Sequence, residues 1–180
     1  LLARVTHEGF RGFEHRAAAR YLSEQGIAKP SVPITSPEFS NPLFVKTVSS
    51  ALKSQGKTAW PKGHQGATSM FKIYVASLEE IICRKRKISM NDRVVEKSLT
   101  AIAKELFPDN MFGIEWDKAT SVINANDTAA NPTDSLLQML LDEGALAEDV
   151  EWSRQVDEDS KPRVVVRFAY ERFSDQFVAN

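Results

Sequence analysis

The sequence contains few of the residues from which disulfides and zinc sites are built. Its single cysteine, Cys83, has no second cysteine with which to form a disulfide in the chain. The three histidines, His7, His15 and His64, are too scattered to suggest a zinc ligand set. These absences exclude a disulfide-stapled scaffold and are typical of a protein in a reducing cytoplasm.

The chain also lacks a charge excess of either sign and a long hydrophobic run. It carries 23 Lys and Arg against 24 Asp and Glu, so its net charge of -1 gives no general attraction to nucleic acid or acidic lipid. No apolar run approaches the roughly 20 residues of a membrane span, so we expect no membrane partner. The 180 residues suffice for one sizeable core or two small ones.

Hydrophobic periodicity predicts helices in the first half of the chain, separated by segments rich in Pro and Gly. Apolar residues over 10–22 recur at three- and four-residue steps and predict a helix that ends near Gly26. Three prolines between 30 and 37 predict an extended linker. Asn41 can cap the next helix and Pro42 suits its first position. A third helix, over 70–82, leads into the basic run 84–87.

The order of predicted elements in the second half indicates a fold. A helix, a short strand, two further helices and two strands follow in turn, and the polar stretch 157–162 joins the last two strands as a hairpin. This order is typical of a winged helix-turn-helix, with residues 133–143 in the position of the recognition helix. We therefore predict a mainly α fold with a small β hairpin: a helical domain followed by a winged helix-turn-helix.

Charge decides whether this winged helix should bind DNA. The stretch 133–144 contains no Lys or Arg, and residues 142–159 carry eight carboxylates against one base, Arg154. Such a surface repels phosphates, so docking against protein is favoured. The alternative is a winged-helix DNA-binding transcription regulator that uses the basic run 84–87, although cations in a last helical turn also complement the helix dipole.

Two motifs in this order resemble the signal-transducing ATPases of the NACHT and STAND class. One is Asn41-Pro42-Leu43-Phe44-Val45, and the other runs from Phe168 to Ala179 as FAYERFSDQFVA. In that family an ATPase core precedes a small helical domain and a winged helix. The motifs are most similar to bacterial STAND ATPases of antiviral defence.

The resemblance implies a domain organisation for the whole chain. Residues 1–25 would be the tail of an ATPase core, 26–37 a linker, 38–88 the small helical domain and 89–180 the winged-helix domain. The chain opens on an apolar stretch without an initiator Met, and its helical pattern after Tyr170 stops before an amphipathic face is complete. We therefore expect it to be an interior part of a larger protein.

The resemblance also implies a regulatory function. The two domains would couple nucleotide state to domain opening and to oligomerisation, with a hinge over 87–91. The implied partners are the other domains of the same chain and, on activation, further copies of the parent protein. The implied ligand is ATP or ADP with magnesium, held by the parent's ATPase core. Because this sequence has no phosphate-binding loop of the P-loop type, we expect no catalytic residue in it and no ATP hydrolysis by it alone.

Two residues are implied to contact the nucleotide. Pro42 would lie against the base or ribose, although a proline that simply starts a helix explains this position equally well. Tyr170 occupies the position of a family histidine that senses the phosphate side of the nucleotide. An aromatic residue at a strand end is also a common core residue, so this alternative stays open.

Overall fold

The computed structural model describes residues 14–28, 42–59, 67–107, 113–127, 135–151, 162–170 and 172–178. These residues are mainly helical and include a small three-stranded antiparallel sheet, which confirms the prediction of a mainly α fold with a small β component. The chain divides into two compact units, residues 1–77 and 78–180. The division lies inside a long helix, ahead of the predicted domain start at 89.

The first unit contains two helices that end in the same way. Each ends at a glycine with positive φ, Gly26 at 75° and Gly56 at 65°, a conformation that glycine adopts without strain. Beyond these turns the Ala28 amide donates to the Thr58 carbonyl at 2.7 Å, so the two chain segments meet in a short parallel bridge. The helices of this part are α1 (Glu14–Glu24), α2 (Pro42–Ser54) and the first turns of α3 (Ala67–Arg86).

Polar contacts join α2 to the first part of α3. The Gln55 amide donates to the Ser77 hydroxyl at 3.1 Å, and that hydroxyl lies 3.4 Å from the Ala51 carbonyl. Ser77 is buried, so these bonds satisfy a polar group that would otherwise be costly in a core. All three helices also contribute buried apolar side chains, among them Ala18, Leu22, Val45, Val48, Leu52, Phe71 and Tyr74.

The second unit follows the predicted order of helix, strand, two helices and two strands, and it closes with a further helix. The strands form one antiparallel sheet in the order β1, β3, β2. The winged-helix assignment is our interpretation of this order. After the last turns of α3 the elements are α4 (Val94–Leu106), β1 (Ile114–Glu115), α5 (Trp116–Asn124), α6 (Leu136–Asp142), β2 (Leu146–Glu151), β3 (Arg163–Phe168) and α7 (Arg172–Val178).

The first strand is short, as predicted, but it ends earlier than the pattern indicates. The sequence predicts a short strand at Phe112, Ile114 and Trp116, whereas β1 covers Ile114–Glu115 and Trp116 already begins α5. Phe112 lies outside the described residues. Gly113, just before β1, explains how the chain approaches β3. A Cβ at this position would lie 3.0 Å from Val165 side-chain atoms, so only glycine fits without a shift of β3.

The core of the second unit lies between α4, the other helices and the sheet. The buried face of α4 includes Val95, Leu99 and Ile102. From the sheet side, Phe168 of β3 stacks on Phe177 of α7 with ring centroids 5.7 Å apart. Among the helices that the structure describes, none combines the length and apolar character needed to cross a membrane.

Candidate functional site

Pro42 occupies the position that the sequence predicts. It is the first residue of α2 and is half-buried. A proline costs nothing there because the first amides of a helix have no intrahelical acceptor. Its proposed cap, Asn41, lies outside the described residues.

Tyr170 lies at the junction between β3 and α7. Its ring packs edge-on against Phe173, with centroids 5.0 Å apart and planes at 85°, and its carbonyl accepts the Phe173 amide at 2.9 Å. The half-buried residue therefore helps to form the first turn of α7. Because Pro42 belongs to the other unit, the approach of both residues to a common nucleotide stays a prediction.

The basic run at the end of α3 is partly used inside the second unit. Arg86 donates through both terminal nitrogens to the two carboxylate oxygens of Asp127, each at 2.8 Å. Both side chains are buried, 4% and 7% exposed. Lys85 pairs with Glu143 at 2.7 Å. Two of the four cations thus link α3 to the ends of α5 and α6, which favours a structural role over nucleic-acid binding.

A buried carboxylate of α3 caps the start of α4. Arg93 precedes α4 with a positive φ of 49°, and its own side chain makes no cap hydrogen bond. Glu79, which is 6% exposed, instead accepts the amides of Val95 at 3.1 Å and Glu96 at 3.2 Å. A carboxylate at this end satisfies amides without intrahelical partners and complements the helix dipole. The sequence analysis missed this role, because the cap comes from another helix.

The predicted hinge segment 87–91 lies inside the second unit and not between the two units. Lys87 ends α3 with a positive φ of 56°, and the Ile88 amide returns to the Cys83 carbonyl at 3.0 Å. The Ser89 hydroxyl then accepts the Asn91 amide at 3.2 Å. These bonds, together with the Glu79 and Arg86 contacts on either side, form a tight connection and argue against a hinge here.

Cys83 lies within this connection, and we predict that its thiol is unreactive. The sulfur lies 3.4 Å from a Glu79 carboxylate oxygen, and burial, followed by the contact with that carboxylate, raises the pKa of the thiol to about 12. Because the thiolate is the reactive form, a thiol reagent at pH 8 should label the native chain far more slowly than the denatured chain. Spectrophotometric labelling with and without denaturant measures both rates. Equal rates would contradict the buried placement.

The sheet surface carries mixed charge, because arginines of β3 lie beside carboxylates of the neighbouring strands. Arg167 of β3 pairs with Asp149 at 3.0 Å, and Arg163 of β3 pairs with Glu115 at 2.8 Å. The hydrogen bond that the Val150 amide donates to Asp149 lowers the pKa of this carboxyl most, and the hydrogen bond and charge of Arg167 lower it further. The count over 142–159 omitted these arginines because they come from the partner strand. The hairpin tip lies outside the described residues, and α6 itself has no Lys or Arg.

The comparisons with known proteins give no family assignment. No protein-family model matches the chain, and neither a curated protein nor a solved structure matches it. The resemblance to STAND ATPases therefore rests on the residues of the two motifs, and the function drawn from it is a proposal.

Proposed function

We propose that this chain is the regulatory part of a bacterial STAND-type ATPase of antiviral defence. Its helical and winged-helix domains close over ADP and separate to permit oligomerisation of the larger protein. The observation that supports this proposal is the order of the two motifs: Pro42 opens α2, and Tyr170 connects β3 to α7. Rigid-body separation of domains is an established way to convert nucleotide state into assembly.

In this proposal the chain positions the nucleotide and other parts of the protein perform the chemistry. The ATPase core supplies the phosphate-binding loop and holds the magnesium. Pro42 contributes a rigid apolar surface for the base or ribose. Tyr170 contributes a neutral hydroxyl where the family has a histidine, so it senses the nucleotide through a hydrogen bond and not through a positive charge.

The test is the removal of each contact in the full-length protein. Tyr170→Ala should weaken ADP retention by about 5- to 150-fold, the usual range of coupling between a ligand and a domain equilibrium. It should also raise spontaneous assembly, since less ADP then holds the closed state. Pro42→Ala should act in the same direction but more weakly. The measurement is the nucleotide content of each purified variant together with its oligomeric state by light scattering.

A matched variant separates the hydroxyl from the ring. Tyr170→Phe keeps the aromatic contact with Phe173 and removes only the hydrogen-bonding group. We expect it to lose ADP like Tyr170→Ala while its thermal stability stays near that of the native protein. If Tyr170→Ala and Pro42→Ala both fold and both retain ADP normally, neither residue contacts the nucleotide and the proposed clamp is wrong.

The alternative, a DNA-binding regulator, predicts a different result. Because α6 lacks Lys and Arg, and Lys85 and Arg86 are paired internally, we expect the chain to show no salt-sensitive duplex binding. Fluorescence anisotropy of a labelled duplex at low salt measures this. Micromolar or tighter binding that weakens steeply with added salt would favour the regulator.

A further inference from the structure

A basic groove runs along the outer side of α4. It has a volume of about 300 Å³ and is lined mainly by Arg93, Lys97, Thr100 and Lys104 of the α4 region and by Asn126 beyond α5. Lys97 and Lys104 are two helical turns apart, about 10 Å along the axis, and therefore lie on the same face. The small side chains between them leave the depression open.

Two positive charges in this groove are uncompensated. Arg93 is paired with Glu96, which also lines the groove. Lys97 and Lys104 are exposed and make no ion pair with any residue that the structure describes. By contrast, Lys118, on the neighbouring α5, is paired with Glu105. The groove therefore attracts a ligand with two negative charges at a similar spacing.

The other polar groups indicate which kind of anion fits. The Thr100 hydroxyl donates to the Glu96 carbonyl at 2.7 Å, and the Asn126 amide nitrogen donates to the Val122 carbonyl at 2.9 Å. Their oxygens remain as acceptors, so they suit a ligand that also donates hydrogen bonds. A protein segment offers carboxylates together with side-chain N–H and O–H donors, whereas a phosphate backbone offers only acceptors.

We infer that this groove docks an acidic protein segment, a helix with two carboxylates seven residues apart. That spacing places the carboxylates two turns apart, as Lys97 and Lys104 are. The inference does not depend on nucleotide binding, because neither Pro42 nor Tyr170 lines the groove.

The experiment uses the whole 180-residue chain and a defined probe. The probe is an alanine-based helical peptide with glutamates seven residues apart, and its matched control carries glutamine at those positions. We expect amide chemical shifts of α4 and Asn126 to change on titration of the isotope-labelled chain at low salt. The combined Lys97→Gln and Lys104→Gln variant should bind about tenfold more weakly, as two partly screened ion pairs allow.

A control variant and two further probes decide between occupants. Lys46→Gln with Lys72→Gln removes two exposed lysines elsewhere and should leave binding unchanged. The inference is overturned if this control loses as much affinity, or if the shifts scatter over all lysines. It is also overturned if a single-stranded oligonucleotide of equal charge binds more tightly than the peptide. Self-association of the chain that the Lys97 and Lys104 changes abolish would identify a second copy as the occupant instead.

Discussion

Replacing Asp127 with asparagine is expected to lower the free energy of unfolding of the second unit by about 3–5 kcal/mol. The change leaves the guanidinium of Arg86 buried and without a carboxylate, since its side chain is 4% exposed. Removing one partner of a buried ion pair is costly because the remaining charge keeps its desolvation penalty. Urea unfolding followed by circular dichroism, with hydrogen exchange of α5 amides as the local measurement, gives the change.

An exposed ion pair in the same unit supplies the control. Glu105→Gln removes the partner of Lys118, and both of these side chains are more than a third exposed. Its cost should be about 1 kcal/mol or less, because solvent screens such pairs. Replacing both Arg86 and Asp127 with apolar residues of similar size should recover much of the loss. If Asp127→Asn costs no more than Glu105→Gln, the pair is not buried as described.

The second large effect is expected at Glu79. Glu79→Ala removes the acceptor of the Val95 and Glu96 amides, and we expect a loss of about 2–3 kcal/mol, the range for a helix cap and for hydrogen bonds to a buried charge. In this variant the Val95 and Glu96 amides should exchange with solvent faster than the other α4 amides. Hydrogen exchange resolved by residue measures both effects.

The neighbouring residue is the control for this position. Glu80 is half-buried on the same helix and makes no cap to α4, so Glu80→Ala should change stability by about 0.5 kcal/mol or less. Fast exchange of the Val95 and Glu96 amides already in the native protein would show that Glu79 does not cap α4.

Local sequence signals predicted most helices and strands. Gly26 ends α1 through its positive φ, and Pro42 starts α2 because its missing amide needs no partner there. The strands β2 and β3 form on either side of the polar stretch 157–162, as predicted, because a polar stretch between two strand-forming segments is a local feature. Such features depend on residues close together in sequence.

The long-range polar contacts of the second unit could not be predicted in this way. Asp127 meets Arg86 from 41 positions away, and Glu79 caps a helix that begins 15 positions later, so both contacts depend on the packing of α3. No capping residue precedes α4 in sequence, since Arg93 occupies that position. Arg167, which pairs with Asp149 of β2, comes from β3, and only the observed strand register brings the two residues together.

The candidate nucleotide contacts could be predicted from the sequence only in part. The placement of Pro42 at a helix start and of Tyr170 at a strand end follows from local patterns. Their joint contact with one nucleotide requires two units to meet, which no local pattern specifies. This step is the part of the proposal that needs direct measurement.

The nucleotide content of the full-length protein, purified without added nucleotide, tests the central claim most directly. We predict an equimolar amount of ADP in the monomeric protein and its loss on assembly, because in the proposed switch ADP stabilises the closed state and assembly requires the open one. A well-folded full-length protein that carries no nucleotide, binds neither ADP nor ATP, and assembles in the same way with or without them would contradict the account.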